Sequence, residues 1–243
     1  MKLLLINPNT STAMTQSIAR AAQGVASPAT EVMAVQPSFG PASIECQYDE
    51  AFAAAGVAEQ VRLAQGWRPD AVVVACFGDT GLDAAREASG VPVIGVAEAA
   101  FHAATLIATR FSVVTTLTRT CITAERLLQR YGFERHCGGV HGTDIPVLDL
   151  EHVSDETVSR IEQAAREALS RDGSSAIVLG CAGMASLCTT LSARLQVPVI
   201  DGVSVAVKLA ESLVALGLRT SPLGDYAPPP PKVYAGWAST LGW

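Results

Sequence analysis

Two cysteines stand where thiols can do acid–base work. Ala71 opens the stretch AVVVACFGDTGL, and Ala176 opens AIVLGCAGMASL. In each, a β-branched run ends at a cysteine, Cys76 or Cys181, and a glycine follows two residues later, Gly78 or Gly183. A Val-Pro-Val-Ile segment begins 15 residues after the first cysteine and 16 after the second. Upstream, each half opens with a strand-like run ending in polar residues, Asn7-Pro8-Asn9-Thr10 and Thr115-Thr116-Leu117-Thr118. The shared architecture of α/β units explains the Val-Pro-Val-Ile strands; it does not explain a cysteine at each matching strand end. Ligands of open parallel sheets bind at the carboxyl ends of strands, which is where both cysteines fall. If the two halves face each other across a pseudo-twofold axis, the sulfurs reach one cleft from opposite sides. One thiolate can then remove a proton from a carbon while the other thiol delivers one to the far face. An ordinary thiol, with a pKa near 8.5, needs little help to do this, and a helix N-terminus beside each cysteine is expected to favour the thiolate.

The elements that must position these groups alternate regularly. Strands are expected at 2–7, 32–35, 70–75, 91–95, 111–115, 176–180 and 198–200. Helices are expected from a cap at Thr10-Ser11-Thr12 to about Gln23, and over 49–65, 80–89, 97–108, 119–131, 154–171, 184–194 and 203–217. The stretch 133–150 has no clear period. The non-alternating runs at 70–75 and 176–180 read as strands buried on both faces. The alternation predicts an α/β chain of two pseudosymmetric lobes, each a parallel sheet flanked by helices, with the active site in the cleft between them. The expected boundaries are 1–97 with 205–227 for the first lobe, 98–204 for the second, and a Pro-rich, polyproline-like tail over 228–243.

Composition narrows the function classes. Of 243 residues, 49% are apolar but only 5% aromatic, so the core must be built from aliphatic side chains. The net charge is −6, and only Lys2, Lys208 and Lys232 are lysines, which argues against a nucleic-acid or anionic-membrane surface. No run approaches the roughly 18 apolar residues of a membrane span, and no signal peptide is recognisable, so a cytoplasmic protein with reduced cysteines is expected.

The chain resembles the hydantoin and allantoin racemases of the aspartate/glutamate racemase superfamily. The stretches that carry the likeness are Ile6–Thr10, Gly40–Glu45, Cys76–Asp79, Arg110–Thr116 and Gly180–Met184. The resemblance implies a racemase that needs no cofactor or metal, assembles as a homo-oligomer, and uses Cys76 and Cys181 as acid and base. In the superfamily's amino-acid racemases the first cysteine is followed by Asn-Thr, and the second by Thr and then His or Glu. Here the followers are Phe77-Gly78 and Ala182-Gly183, which suits a neutral cyclic ureide. The expected reaction is inversion of 5-substituted hydantoins at C5, with allantoin as the alternative substrate. Loss of the C5 proton gives an enolate, and backbone N–H groups near Phe77, Gly78, Asp79, Ala182 and Gly183 are the natural donors to it. Asn9, Thr115 and Thr116 are expected to hydrogen-bond the ureide, and Pro41 and Ile44 to cover the C5 substituent. Each also has a structural reading: Asn9 as a turn or cap residue, Thr115 and Thr116 as caps, Ile44 as core, and Asp79 as a cap rather than a base.

Two further classes compete. An arylmalonate-type decarboxylase of the same superfamily keeps only the second-half cysteine, and the presence of Cys76 argues against it. A noncatalytic small-molecule-binding protein has no need of both cysteines. His136, Cys137 and His141 match no zinc-ligand spacing, and nucleotide-binding glycine motifs are missing.

Overall fold

The computed structural model describes residues 1–241; the last two residues of the expected tail lie outside the described residues. Among the described residues, eight strands form two parallel four-stranded sheets. The first holds β1 (Lys2–Ile6), β2 (Glu31–Val35), β3 (Ala71–Val74) and β4 (Val93–Gly95), in the order β2-β1-β3-β4. The second holds β5 (Phe111–Thr115), β6 (Cys137–Gly142), β7 (Ala176–Leu179) and β8 (Val199–Asp201), in the order β6-β5-β7-β8. The second half thus repeats the strand order of the first. Register repeats as well. Ala75 N–H donates to the Ile6 carbonyl at 2.8 Å, and Gly180 N–H donates to the Val114 carbonyl at 2.7 Å. These bonds fix the residue before each cysteine against the central strand of its sheet.

The helices are α1 (Thr12–Val25), α2 (Gln47–Leu63), α3 (Leu82–Ser89), α4 (Val96–Ile107), α5 (Cys121–Tyr131), α6 (Asp155–Asp172), α7 (Cys188–Leu195) and α8 (Gly202–Ala215). Ser11 caps α1, its hydroxyl accepting from Met14 N–H, and Ser154 caps α6 in the same way through Thr157 N–H. All four residues of β3 and of β7 are buried, because helices cover both faces of each sheet.

Two helices cross between the halves. α4 follows β4 of the first sheet, yet Ala97, Ala100, Phe101 and Ala104 pack against Phe111, Val113 and Val178 of the second. α8 follows β8 of the second sheet, and Val203, Ala206, Val207 and Ala210 pack against Leu3, Leu5 and Val73 of the first. The two helices touch at their starts. There Gly202 lies so close to Val96 that a β-carbon would overlap the Val96 carbonyl.

Three expectations are corrected. The 133–150 stretch contains an edge strand, β6, which its three glycines conceal. Residues 184–194 are not one helix: a 3₁₀ segment over Ala182–Leu187 precedes α7. The described part of the tail includes a 3₁₀ segment over Gly236–Leu241 as well as extended chain.

Candidate active site

Cys76 follows β3 and Cys181 follows β7, and both open onto one cavity of about 150 Å³ between the sheets. A cavity of that size holds one benzene-sized ring. The two cysteine loops are built alike. Asp79 N–H donates to the Cys76 carbonyl at 2.9 Å, and Met184 N–H donates to the Cys181 carbonyl at 3.0 Å. Each cysteine therefore begins a tight four-residue turn. Within each turn the amide of the glycine two residues on, Gly78 or Gly183, faces the sulfur. At Gly78 a β-carbon would lie 3.0 Å from both the Glu50 carboxylate and the Thr80 hydroxyl, a tight fit beside the sulfur.

The sequence predicts helix N-termini beside both sulfurs and a lowered thiol pKa. The structure differs on both points. α3 starts only at Leu82, six residues past Cys76, and the chain leaves Cys181 in a 3₁₀ segment rather than an α-helix. Burial dominates the ionisation. It pushes the Cys76 thiol up to about 11, against the Gly78 N–H and the Thr80 hydroxyl, while the charges of Glu50 and Asp79 raise it further. Burial pushes Cys181 up to about 12, opposed by the Gly183 and Met184 amides and reinforced by Cys76 and Glu45. Because the sulfurs share one cleft, charge on Cys76 disfavours charge on Cys181. Burial thus favours the thiol form of both at neutral pH.

Nine of the twelve expected site residues line the cavity: the two cysteines, Asn9, Ile44, Phe77, Gly78, Thr115, Thr116 and Ala182. Asn9 is held by a local network in which its side-chain oxygen accepts from Asn7 Nδ2 at 2.7 Å and from Ser11 N–H at 2.9 Å. Its own amide donates to the Met14 sulfur at 3.3 Å; that single bond among the described residues leaves donor capacity toward the cavity, which Asn9 lines. The Thr115 hydroxyl donates to the Gly180 carbonyl at 2.8 Å and so braces the strand end before Cys181.

Pro41, Asp79 and Gly183 do not line the cavity. The Pro41 carbonyl accepts from Thr10 N–H, which holds the Gly40–Glu45 loop in place. Gly183 contributes its amide to Cys181. The Asp79 carboxylate is turned away, toward the start of α4.

Sequence reasoning misses the polar wall. Gln47 and Glu50 from the first turn of α2, and Arg119, Thr120 and Thr123 around the start of α5, also line the cavity. Burial raises the pKa of the half-buried Glu50 carboxyl, with Arg126 pulling the other way. In the sequence Glu50 is merely an acid in a helix's first turn, a position the helix dipole favours in any helix. Asn7, by contrast, is signalled by its repeat partner Thr115. Outside the cavity, His141 is held by Asp172 at 2.6 Å and neighbours Arg171, so it serves the packing of β6 on α6.

The sequence profile of the Asp/Glu/Hydantoin racemase family matches residues 3–210. A hydantoin racemase of Pseudomonas sp. (strain NS671) is 43% identical over 242 residues, covering 100% of this chain and 97% of that protein. One from Rhizobium meliloti is 45% identical over 236 residues, covering 97% and 98%. The solved allantoin racemase from Klebsiella pneumoniae is 53% identical and superposes with a TM-score of 0.97 over 100% of this chain and 99% of that one.

Proposed function

The chain belongs to the Asp/Glu/hydantoin racemase family and is an isomerase, and from that premise we propose that it racemises 5-substituted hydantoins at C5, using Cys76 and Cys181 as the acid–base pair and no cofactor. The observation that carries this reading is the matched pair of cysteine turns opening on one ring-sized cavity. One thiolate takes the C5 proton, and the electron pair of the C–H bond passes into the adjacent carbonyl to form an enolate. The opposite thiol then protonates C5 on the other face, and its sulfur is left as the thiolate. Asn9, the Thr116 hydroxyl and the backbone amides of Phe77 and Ala182, all on the cavity lining, are the polar groups available to the ring and to the enolate oxygen. The loop residue Ile44 with Val147 supplies apolar cover. A decarboxylase of arylmalonate type does not need the first cysteine, so the duplicated cysteine turn favours racemisation.

A second reading concerns the C5 substituent. Gln47, Glu50, Arg119, Thr120 and Thr123 give the cavity a wall of donors and acceptors. That wall matches a polar, uncharged arm such as the ureido group of allantoin better than an alkyl or benzyl arm. Among the described residues no helix is long and apolar enough to cross a membrane. We further propose a cytoplasmic homo-oligomer with no nucleic-acid partner. The six unpaired cysteines support a reducing compartment, and exposed side chains such as Leu106 and Leu216 supply apolar surface for association.

The test is the decay of optical rotation of single enantiomers of allantoin, 5-benzylhydantoin and 5-isopropylhydantoin. Enzyme-dependent decay to zero is expected for at least one of them, fastest for allantoin if the polar wall selects the arm. Binding without decay for all three contradicts a ureide racemase.

A further inference from the structure

We propose that Asp79 is a positioning residue for Cys76: it fastens the Cys76 turn to the start of α4 and to the second lobe, and so sets where that one sulfur meets the substrate. This rests on the two-thiol reading above. Asp79 is 5% exposed and stands at φ 46°, in the left-handed region that Asp tolerates better than most side chains. That conformation lets its backbone serve both neighbours. Its N–H closes the Cys76 turn, and its carbonyl accepts from Leu82 N–H at 3.1 Å, where α3 begins.

The side chain reaches 18 residues ahead. Oδ1 accepts from Ala97 N–H and Oδ2 from Glu98 N–H, both at 3.0 Å. α4 is preceded by Gly95, which has no side chain to cap the helix, and Asp79 takes that place from another loop. A β-carbon at Gly95 would overlap the Asp79 carboxylate, so the glycine leaves room for the aspartate. Oδ2 also accepts from the Tyr131 hydroxyl at 2.9 Å. Tyr131 ends α5, which packs with the second sheet. A parallel tie is made next door, where Arg130 pairs with Asp83 of α3. The segment bearing Cys76 is thus anchored to the half of the molecule bearing Cys181.

The anchor is one-sided. The residue three after Cys181 is Met184, an apolar side chain buried in the second lobe's core. Loss of the Asp79 contacts should therefore disturb one face of the reaction and spare the other. Neither effect requires contact with substrate, since Asp79 lies outside the cavity wall.

Exchange of C5–H for deuterium, followed by NMR on single enantiomers, separates the faces. Asp79→Asn is placed once in a Cys181→Ser background, where only Cys76 can act, and once in a Cys76→Ser background, where only Cys181 can act. A displacement of about 1 Å costs on the order of a hundredfold in rate. Exchange by Cys76 should fall by about tenfold to a hundredfold through kcat with KM little changed, while exchange by Cys181 keeps its rate. Tyr131→Phe removes one of the three donors and should give a smaller fall on the same face; it also serves if Asp79→Asn does not fold. Equal slowing on both faces, or slowing on neither, overturns the positioning role. If the parent serine variants exchange neither enantiomer, the two-thiol reading itself falls and takes this proposal with it.

Discussion

Raising the pH should accelerate the enzyme steeply, because burial keeps both thiols protonated near neutrality. Cys76 has been pushed up to about 11. At pH 8 its thiolate is therefore about one part in a thousand, and each pH unit multiplies that fraction about tenfold. The quantity kcat/KM reports the ionisation of the free enzyme. It should rise with unit slope between pH 7 and 9, about a hundredfold in all. The assay is the initial rate of rotation decay from one enantiomer at low substrate and constant ionic strength, with the uncatalysed rate at each pH subtracted. Alkylation by iodoacetamide supplies a check that involves no substrate chemistry, and its rate constant should climb with the same slope. A plateau, or a bell centred near neutrality, would refute the reasoning: it would mean that the Gly78 and Gly183 amides outweigh desolvation and hold a thiolate near neutral pH. Stability carries the opposite sign. The native state keeps protons on these thiols that the unfolded chain sheds above about pH 9, so their contribution is whole below that value and is lost as pH rises through 11.

Three other perturbations have defined outcomes. Thr115→Val removes the buried donor to the Gly180 carbonyl and should cost about 1–3 kcal/mol in urea unfolding; an unchanged midpoint would contradict the bracing role. The Asp79 carboxyl is raised to about 6 from its ordinary 3.8, chiefly by burial and against the Ala97, Glu98 and Tyr131 donors, with the charge of Glu98 adding to the rise. Its folded pKa lies above its unfolded one, so its contribution to wild-type stability is greatest below pH 4 and declines through pH 6. The stability of Asp79→Asn relative to wild type should therefore shift in the variant's favour by about 2 kcal/mol between pH 4 and 7, whereas a constant gap in paired denaturation curves would count against it. Exhaustive chelation should leave activity intact while alkylation abolishes it and substrate protects; restoration of a chelated enzyme by zinc would overturn a metal-free mechanism.

The sequence is informative where burial and chemistry coincide. The β3 and β7 runs are apolar at every position because helices cover both faces, and each ends at a thiol, so the strands, the repeat and the cysteine pair are all legible together. β6 is not. Its sequence, Cys-Gly-Gly-Val-His-Gly, is half-exposed throughout, and its pairing with β5 makes it a strand despite its glycines. The region after Cys181 reads as helix because Ala, Met and Leu suit one, yet the turn that brings the Gly183 amide to the sulfur tightens it to 3₁₀ form. Asp79 reads in the sequence both as a substrate contact and as a cap. Its geometry is that of a cap, but for a helix 18 residues on and joined by a tyrosine 52 residues on, and local spacing cannot reveal partners so distant. Glu50 is hidden for the same reason: only the folding of α2 against the Cys76 turn brings its carboxylate beside Gly78.

The central claim is that Cys76 and Cys181 address opposite faces of one carbon, and deuterium exchange by the single serine variants tests it most directly. Neither Cys76→Ser nor Cys181→Ser should racemise, since a serine hydroxyl cannot supply the missing base at neutral pH. Each retains one thiol that can remove a proton and return a deuteron to the same face. NMR of the pure enantiomers in deuterated water should show each variant exchanging C5–H with retention in one enantiomer only, and the two variants should choose opposite enantiomers. Racemisation near the wild-type rate by either variant, or exchange of the same enantiomer by both, would contradict the account.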